Sequence, residues 1–231
     1  MSNNKQYPFK FKLTTLAIPL YLVLFLWIIL WLDFKYRLHL ANYGIYPRTI
    51  KGLIGIVTSP FIHKSIGHLA NNSVPLFVML FSLLYFYRTI AFKIIWQGVL
   101  ISGFLTWLFA RSAYHIGASG VIYLLVSFIF FSGIISKHYR LVAVSLIVVF
   151  LYGSLVWYMF PANVKEGISW EGHLFGFITG FLLAIKYRKI LPEPEKYAWE
   201  EETYIPDDFD KLFDADGNFN QPEDNVKNKD N

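Results

Sequence analysis

The chain has 231 residues, 55% of them hydrophobic and only 16% charged, with 22 Phe, 15 Tyr and 7 Trp. Soluble domains carry roughly 25% charged residues, and the mean hydropathy of +0.41 also argues against an ordinary soluble globular domain. The absence of cysteine removes disulfides, thiol catalysis, Cys-ligated zinc and iron–sulfur clusters together. The net charge of +5 hides a division: residues 1–189 carry +14 and residues 190–231 carry −9. A basic, apolar body followed by an acidic tail has the profile of a membrane protein, not of a nucleic-acid-binding one.

A spanning helix needs about 17–25 mostly apolar residues. The segments 13–32, 68–87, 94–110, 119–136, 141–158 and 170–185 are expected to be helices on that ground, several of them at the short end. The first is uncharged and too long, with the wrong flanks, for a cleaved signal peptide. Pro75 in the second is tolerable where neighbouring helices satisfy the freed carbonyl. With the N-terminus in the cytoplasm, ten Lys/Arg lie inside and seven outside, a modest positive-inside bias that places both termini in the cytoplasm. The expected organisation is a cytoplasmic segment 1–12, a six-helix membrane domain 13–189, and an acidic, disordered cytoplasmic tail 190–231.

The connection 33–67 is long, and its apolar content (Tyr43-Gly-Ile-Tyr-Pro-Arg48 and Leu53-Ile-Gly-Ile-Val57) suits a partly submerged segment rather than a free linker. In the tail, Asp214-Ala-Asp-Gly-Asn-Phe-Asn220 has a faint likeness to a calcium loop. It lacks the full ligand set and the closing glutamate, so no metal site is read there.

No acidic residue occurs between Asp33 and Glu166. That excludes an intramembrane aspartyl protease, and no HExxH pair exists for a metalloprotease. The polar residues within the spans are therefore the functional candidates. His68 and Asn72, four apart, share a helix face. Gly117-Ala-Ser119-Gly120 is followed one turn later by Tyr123. His173 precedes Gly176 and Gly180, whose GxxxG spacing lets backbones approach closely. His68, Ser119 and His173 open the second, fourth and sixth spans, and even-numbered helices of a six-span protein start on the same side. The three motifs thus lie at one depth below one face.

A serine hydroxyl needs a base to become a nucleophile, and His173 is placed to act as that base and then as the acid for the leaving amine. Only Glu166 or Glu171 could supply a third member, so a Ser–His dyad is the natural reading, its imidazole oriented by packing or by Tyr123. His68, Asn72 and the Ser119 backbone N–H offer donors to an oxyanion. Gly117 and Gly120 permit close approach and unusual dihedrals. Each motif alone reads more simply as helix packing; the three together do not. His63 either lines the same cavity or sits at the interface. His39, His115 and His138 read as interfacial or loop residues.

Taken together, His63…His68-xxx-Asn72, Gly117-x-Ser119-Gly120-xx-Tyr123 and His173-xx-Gly176-xxx-Gly180 resemble the rhomboid family of intramembrane serine proteases over roughly residues 13–188. The resemblance implies an all-α membrane protein, a compact six-transmembrane-helix bundle with a long, partly membrane-embedded first loop. It implies Ser119 as nucleophile, His173 as base, an oxyanion site from His68, Asn72 and the Ser119 backbone, and Tyr123 stacked on His173. The substrates would be membrane proteins cut in or near a transmembrane segment. They would enter sideways past the fifth span or the loop after it, 161–169. Many members carry a Trp-Arg pair in the first loop; the nearest match here is Pro47-Arg48, which leaves Arg48 an open carry-over. No cofactor, metal or nucleic acid is implied; the partners are the lipid bilayer and transmembrane substrates. The short length and lack of a presequence suggest a bacterial inner membrane. The alternatives are a non-catalytic binder or chaperone of transmembrane segments on the same fold, and a small transporter or channel, which lacks charged midplane residues and an evident inverted repeat.

Overall fold

The computed structural model describes residues 12–151, 157–161, 169–190, 209–214 and 216–219. It divides into two units, Met1–Pro194 and Glu195–Asn231. Segments 1–11, 162–168 and most of 191–231 lie outside the described residues, and with them the expected N-terminal segment, most of the loop 161–169, and the bulk of the acidic tail.

Among the described residues the first unit is all-helical, without strands. Its helices are α1 (Leu13–Tyr36), the single turn α2 (Gly55–Thr58), α3 (Ile66–Phe86), α4 (Ala91–Phe109), α5 (Ser119–Ile135), α6 (Tyr139–Leu151) and α7 (Trp170–Lys186). By length and composition α1, α3 and α4 can cross a membrane; α5 and α6 are apolar but shorter. Much of their apolar surface faces outward: Phe150 is 85% exposed and Tyr21 69%. In water such a surface would be a liability, and in hydrocarbon it is the solvated face.

Capping chemistry shifts the helix ends away from the hydropathy boundaries. α1 runs past Leu32 to Tyr36, where Arg37 takes a left-handed conformation and its N–H closes on the Asp33 carbonyl. The Asp33 carboxylate, at 3.1 Å, accepts the Leu40 N–H that begins the next turn. α3 starts two residues before His68 because extended Ser65 accepts the His68 N–H at 3.1 Å, a side-chain N-cap. Pro75 is buried inside α3 without ending it. The described part of the expected fifth span is α6, which begins at Tyr139 and reaches Leu151, followed by a 3₁₀ turn at Trp157–Met159.

α5 is the centre of the bundle: Leu124, Leu125, Phe128 and Ile129 are wholly buried. α7 packs on it through the glycine stripe. A Cβ at Gly176 would collide with the Gly120 carbonyl, and one at Gly180 with the Leu124 carbonyl and, at 2.9 Å, the Phe128 nitrogen. Ser127 Oγ donates across this interface to the Phe177 carbonyl at 2.7 Å. On the far side, Lys186 Nζ and the Tyr187 hydroxyl both donate to Gln97 Oε1 of α4, at 2.9 and 3.0 Å. α1 is fastened to α3 by Trp27 Nε1, which donates to Ser73 Oγ at 3.1 Å.

The segment between α1 and α3 is fixed to α4 and to the loop before α5. Ile45 and His115 exchange backbone hydrogen bonds of 3.0 and 2.9 Å. Trp107 Nε1 donates to the Thr49 carbonyl at 2.9 Å. Gly103 of α4 meets Ile56, and Gly55 sits against the backbone of Gly44 and Ile45. Arg48, itself in a left-handed conformation, donates from Nη1 to the carbonyls of Leu108 and Ala110 at 3.3 and 2.8 Å, and from Nη2 to Ser112 Oγ at 3.2 Å. It thus caps the C-terminal end of α4, where a cation complements the helix dipole.

In the second unit, a 3₁₀ turn at Asp210–Leu212 leads to a bridge between Phe213 and Phe219. The rings of Phe209, Phe213 and Phe219 meet edge to face at 5.3 and 5.6 Å. The Asp214 carboxylate accepts the N–H groups of Asp216 and Asn218 at 3.0 and 2.8 Å.

Candidate active site

Ser119 is the first residue of α5 and His173 lies in the first turn of α7. The glycine contacts set the spacing of these helices, and His173 Nε2 lies 2.8 Å from Ser119 Oγ. The other ring nitrogen, Nδ1, is 3.1 Å from the Tyr158 carbonyl. A carbonyl can only accept, so Nδ1 carries the proton and neutral Nε2 presents its lone pair to the serine hydroxyl. Tyr123, one turn along α5 from Ser119, stacks on the imidazole with centroids 4.3 Å apart and planes 15° from parallel. His173 is 5% exposed and Tyr123 3%, so the ring is held on its face and at both nitrogens.

Beside the serine, Gly117 has φ +114°, a conformation that disfavours any side chain. A Cβ there would also lie 2.7 Å from the His68 ring and 3.7 Å from Asn72 Nδ2. Gly117 is therefore what lets His68 and Asn72 stand next to the serine loop. Asn72 is 7% exposed, and its Nδ2 has no hydrogen-bond partner among the described residues. The Gly117 N–H donates to the Ser59 carbonyl at 2.9 Å, which ties the serine loop to the α1–α3 connection.

His63 stands inside this group rather than at its periphery. It is 3% exposed, meets His68 edge to face at 5.0 Å, and its Nε2 accepts the Ala118 N–H at 3.3 Å. Burial, reinforced by His68 and opposed by the nearby Phe61 backbone, pushes its pKa from 6.5 down to about 4. A base held below its unfolded pKa binds fewer protons when folded. Its contribution to stability is present above pH 6.5 and is lost as the pH falls towards about 4. Thermal unfolding in detergent should show the midpoint falling over that window, and His63→Gln, which does not titrate, should flatten the profile. Superimposable profiles would remove His63 as a source of the pH dependence.

Among the described residues no carboxylate hydrogen-bonds the His173 ring. Glu171 does not reach His173: its carboxylate, 4% exposed, is engaged by Arg111 Nη1 at 3.2 and 3.1 Å and by the Arg111 backbone N–H at 3.2 Å. A buried carboxylate without a cation would be costly, and Arg111 is the cation the fold brings there. Glu166 lies outside the described residues. His115 lies in the loop before α5, as read, and is 3% exposed. Its Nδ1 is 2.7 Å from Ser169 Oγ and its Nε2 3.0 Å from the Arg111 carbonyl. Burial lowers its pKa, against the Arg111 carbonyl and Glu171, which raise it, while the Arg111 charge lowers it further. His138 occupies the α5–α6 connection, as read, but is buried at 3% against Phe86; His39 is exposed.

The Tyr158 carbonyl and the Ser59 carbonyl were not legible as site groups, because backbone acceptors have no side-chain signature. A cleft lined by Ser59, Ser102, His115, Gly117, Ser119 and His173 opens onto the serine and imidazole. Among the described residues no cluster of His, Asp or Glu is arranged to hold a metal ion.

Residues 51–190 match the family model for the rhomboid domain. The chain is 32% identical over 165 residues to an uncharacterized protein of Mycobacterium tuberculosis and, equally, to one of Mycobacterium bovis, covering 67% of this chain. It is 30% identical over 175 residues to an uncharacterized protein of Mycobacterium leprae, covering 71% of this chain and 67% of that one. The match spans 66% of the length of the M. tuberculosis and M. bovis proteins. With more than half of the chain inside the domain, including every group from His63 to His173 described above, this protein belongs to the rhomboid family and is an integral membrane protein.

Proposed function

We propose that the chain is an intramembrane serine protease that hydrolyses peptide bonds in or near transmembrane segments of other membrane proteins. The observation that carries this reading is the 2.8 Å contact of His173 Nε2 with Ser119 Oγ, with Nδ1 held by the Tyr158 carbonyl. In this reading α1, α3, α4, α5, the α6 segment and α7 are the six spans. The apolar surface of the α1–α3 connection, where Ile50 is 90% and Ile54 54% exposed, lies in the lipid interface, and both termini are cytoplasmic.

Ser119 Oγ attacks the scissile carbonyl carbon while its proton passes to His173 Nε2. The imidazolium is stabilised by the Tyr158 carbonyl dipole and by the face of Tyr123, which together take the orienting and stabilising part a carboxylate plays in a triad. The negative oxygen receives hydrogen bonds from Asn72 Nδ2, the His68 ring and the Ser119 N–H. An unpaired buried amide costs free energy in the resting state, which is the expected condition of a donor set for charge that develops only in the transition state. Collapse expels the amine, which takes the proton from Nε2. Water, activated by the same imidazole, then hydrolyses the acyl-serine.

Asn72→Ala is expected to lower kcat on the order of a hundredfold with KM little changed. A loss confined to KM would place Asn72 in substrate binding instead. The function itself is tested by reconstituting the purified protein in lipid vesicles with a panel of single-span proteins. Discrete cleavage that disappears in Ser119→Ala is the expected result; cleavage that survives in Ser119→Ala, or stable capture of the spans without cleavage, would overturn it.

A further inference from the structure

His115 stands where three elements meet. Its backbone pairs with Ile45, its Nε2 with the Arg111 carbonyl at 3.0 Å, and its Nδ1 with Ser169 Oγ at 2.7 Å. The Arg111 carbonyl fixes the tautomer, because it must receive Nε2–H. Nδ1 is then an acceptor, and the Ser169 hydroxyl donates to it. Ser169 Oγ in turn accepts the Gly172 N–H at 3.2 Å, which makes it the N-cap of α7. From Ser119 the chain leads in four residues back to His115, and from His173 in four residues back to Ser169. A single hydrogen bond therefore joins the approach to the nucleophile with the first turn of the helix that carries its base. Next to it, the Arg111–Glu171 pair repeats the same connection, since Arg111 lies on the approach loop and Glu171 in that first turn.

We infer that His115 is a positioning residue that, through Ser169, sets the separation of Ser119 from His173. Its ring nitrogens bond Ser169 and Arg111, not Ser119 or His173. The start of α7 is thus tied to the approach loop through Ser169, and further along the helix the glycine stripe packs on α5. A misplacement of about 1 Å in such a contact costs on the order of a hundredfold in rate, which gives a single remote hydrogen bond leverage on kcat. The inference rests on the proposed serine-protease reading.

The test is a double-mutant cycle on His115→Phe, which keeps the ring but removes both nitrogens, and Ser169→Ala. Both the rate at which a fluorophosphonate labels Ser119 and the kcat for a reconstituted substrate are measured in the full-length protein. Each single variant should lose about tenfold or more in both, with KM within about twofold. The double variant should fall no further than the worse single one, because the pair acts as a unit. His115→Asn, whose Oδ1 can accept from Ser169 in place of Nδ1, should regain most of the loss. Losses that multiply in the double variant, a loss confined to KM, or no recovery in His115→Asn would overturn the assignment. Thermal unfolding in detergent is followed in parallel; if His115→Phe does not fold, the cycle is run with His115→Ala, and His115→Asn remains the rescue variant. An active parent whose His115 variants are unaffected refutes this inference alone, whereas a parent whose labelling and cleavage persist in Ser119→Ala refutes the reading beneath it.

Discussion

Ser119→Ala and His173→Ala should each reduce proteolysis by about 10⁴-fold or more, and the double variant should be no worse than the worse single one. Residues of a catalytic unit are strongly non-additive because neither has its effect without the other. In the proposed reading the unit is the pair joined at 2.8 Å, with the Tyr158 carbonyl, and among the described residues no carboxylate, on the other nitrogen of the histidine. Removing the hydroxyl leaves no nucleophile; removing the imidazole leaves a hydroxyl with an aliphatic pKa and no acceptor for its proton. Neither change should impair folding, since Ser119 caps no helix with its side chain and His173→Ala vacates a ring that faces the cleft. Steady-state cleavage in vesicles with thermal unfolding in parallel measures both. Losses that multiply would mean that the two side chains act independently.

The second large effect is steric. Gly176→Ala and Gly180→Ala place a methyl group on backbone atoms of α5, the Gly120 carbonyl in one case and the Leu124 carbonyl with the Phe128 nitrogen in the other. Backbone in a packed helix cannot turn aside as a side chain does, so the two helices must separate. Overpacking of this kind costs about 1–3 kcal/mol, and both variants should unfold at lower temperature. Their activities should differ. Gly176 lies one turn from His173, so its substitution widens the dyad and should reduce kcat by about a hundredfold or more. Gly180 lies a further turn away and should act mainly on stability. Gly67, with open space where its Cβ would be, supplies the control. In a helix Ala is preferred to Gly by about 1 kcal/mol, so Gly67→Ala should be neutral or mildly stabilising. Equal behaviour of Gly67 and Gly176 variants would show that helix propensity, not contact, governs the glycines.

What the sequence makes legible follows from how few polar residues the spans contain. With no carboxylate between Asp33 and Glu166, histidine, serine, asparagine and tyrosine stand out as the groups within the spans able to do chemistry. Their positions at alternate helix starts bring them to one depth without any knowledge of packing. The structure places Ser119, His173, Tyr123, Gly117, His68 and Asn72 together. Helix ends were legible only to a few residues, because Asp33 and Ser65 set them through hydrogen bonds that hydropathy does not register.

The partners of His173 Nδ1 and of the Gly117 N–H are backbone carbonyls, and any residue type can supply those. Arg48, left open by the resemblance, has its guanidinium on the end of α4. His115 and Glu171 illustrate a different gap. A histidine in a loop and a glutamate beside a helix start are ordinary surface patterns, and only burial against Ser169 and Arg111 makes them part of the framework. A buried carboxylate does demand a cation, and Arg111, at the head of the short polar approach to α5, was the available one.

The most direct test of the account is to react the purified protein in lipid with a fluorophosphonate and locate the adduct by mass spectrometry. A single modified residue, Ser119, is expected, with labelling abolished by His173→Ala. An unmodified Ser119 in a folded protein, an adduct on another serine, or labelling undiminished in His173→Ala would contradict it.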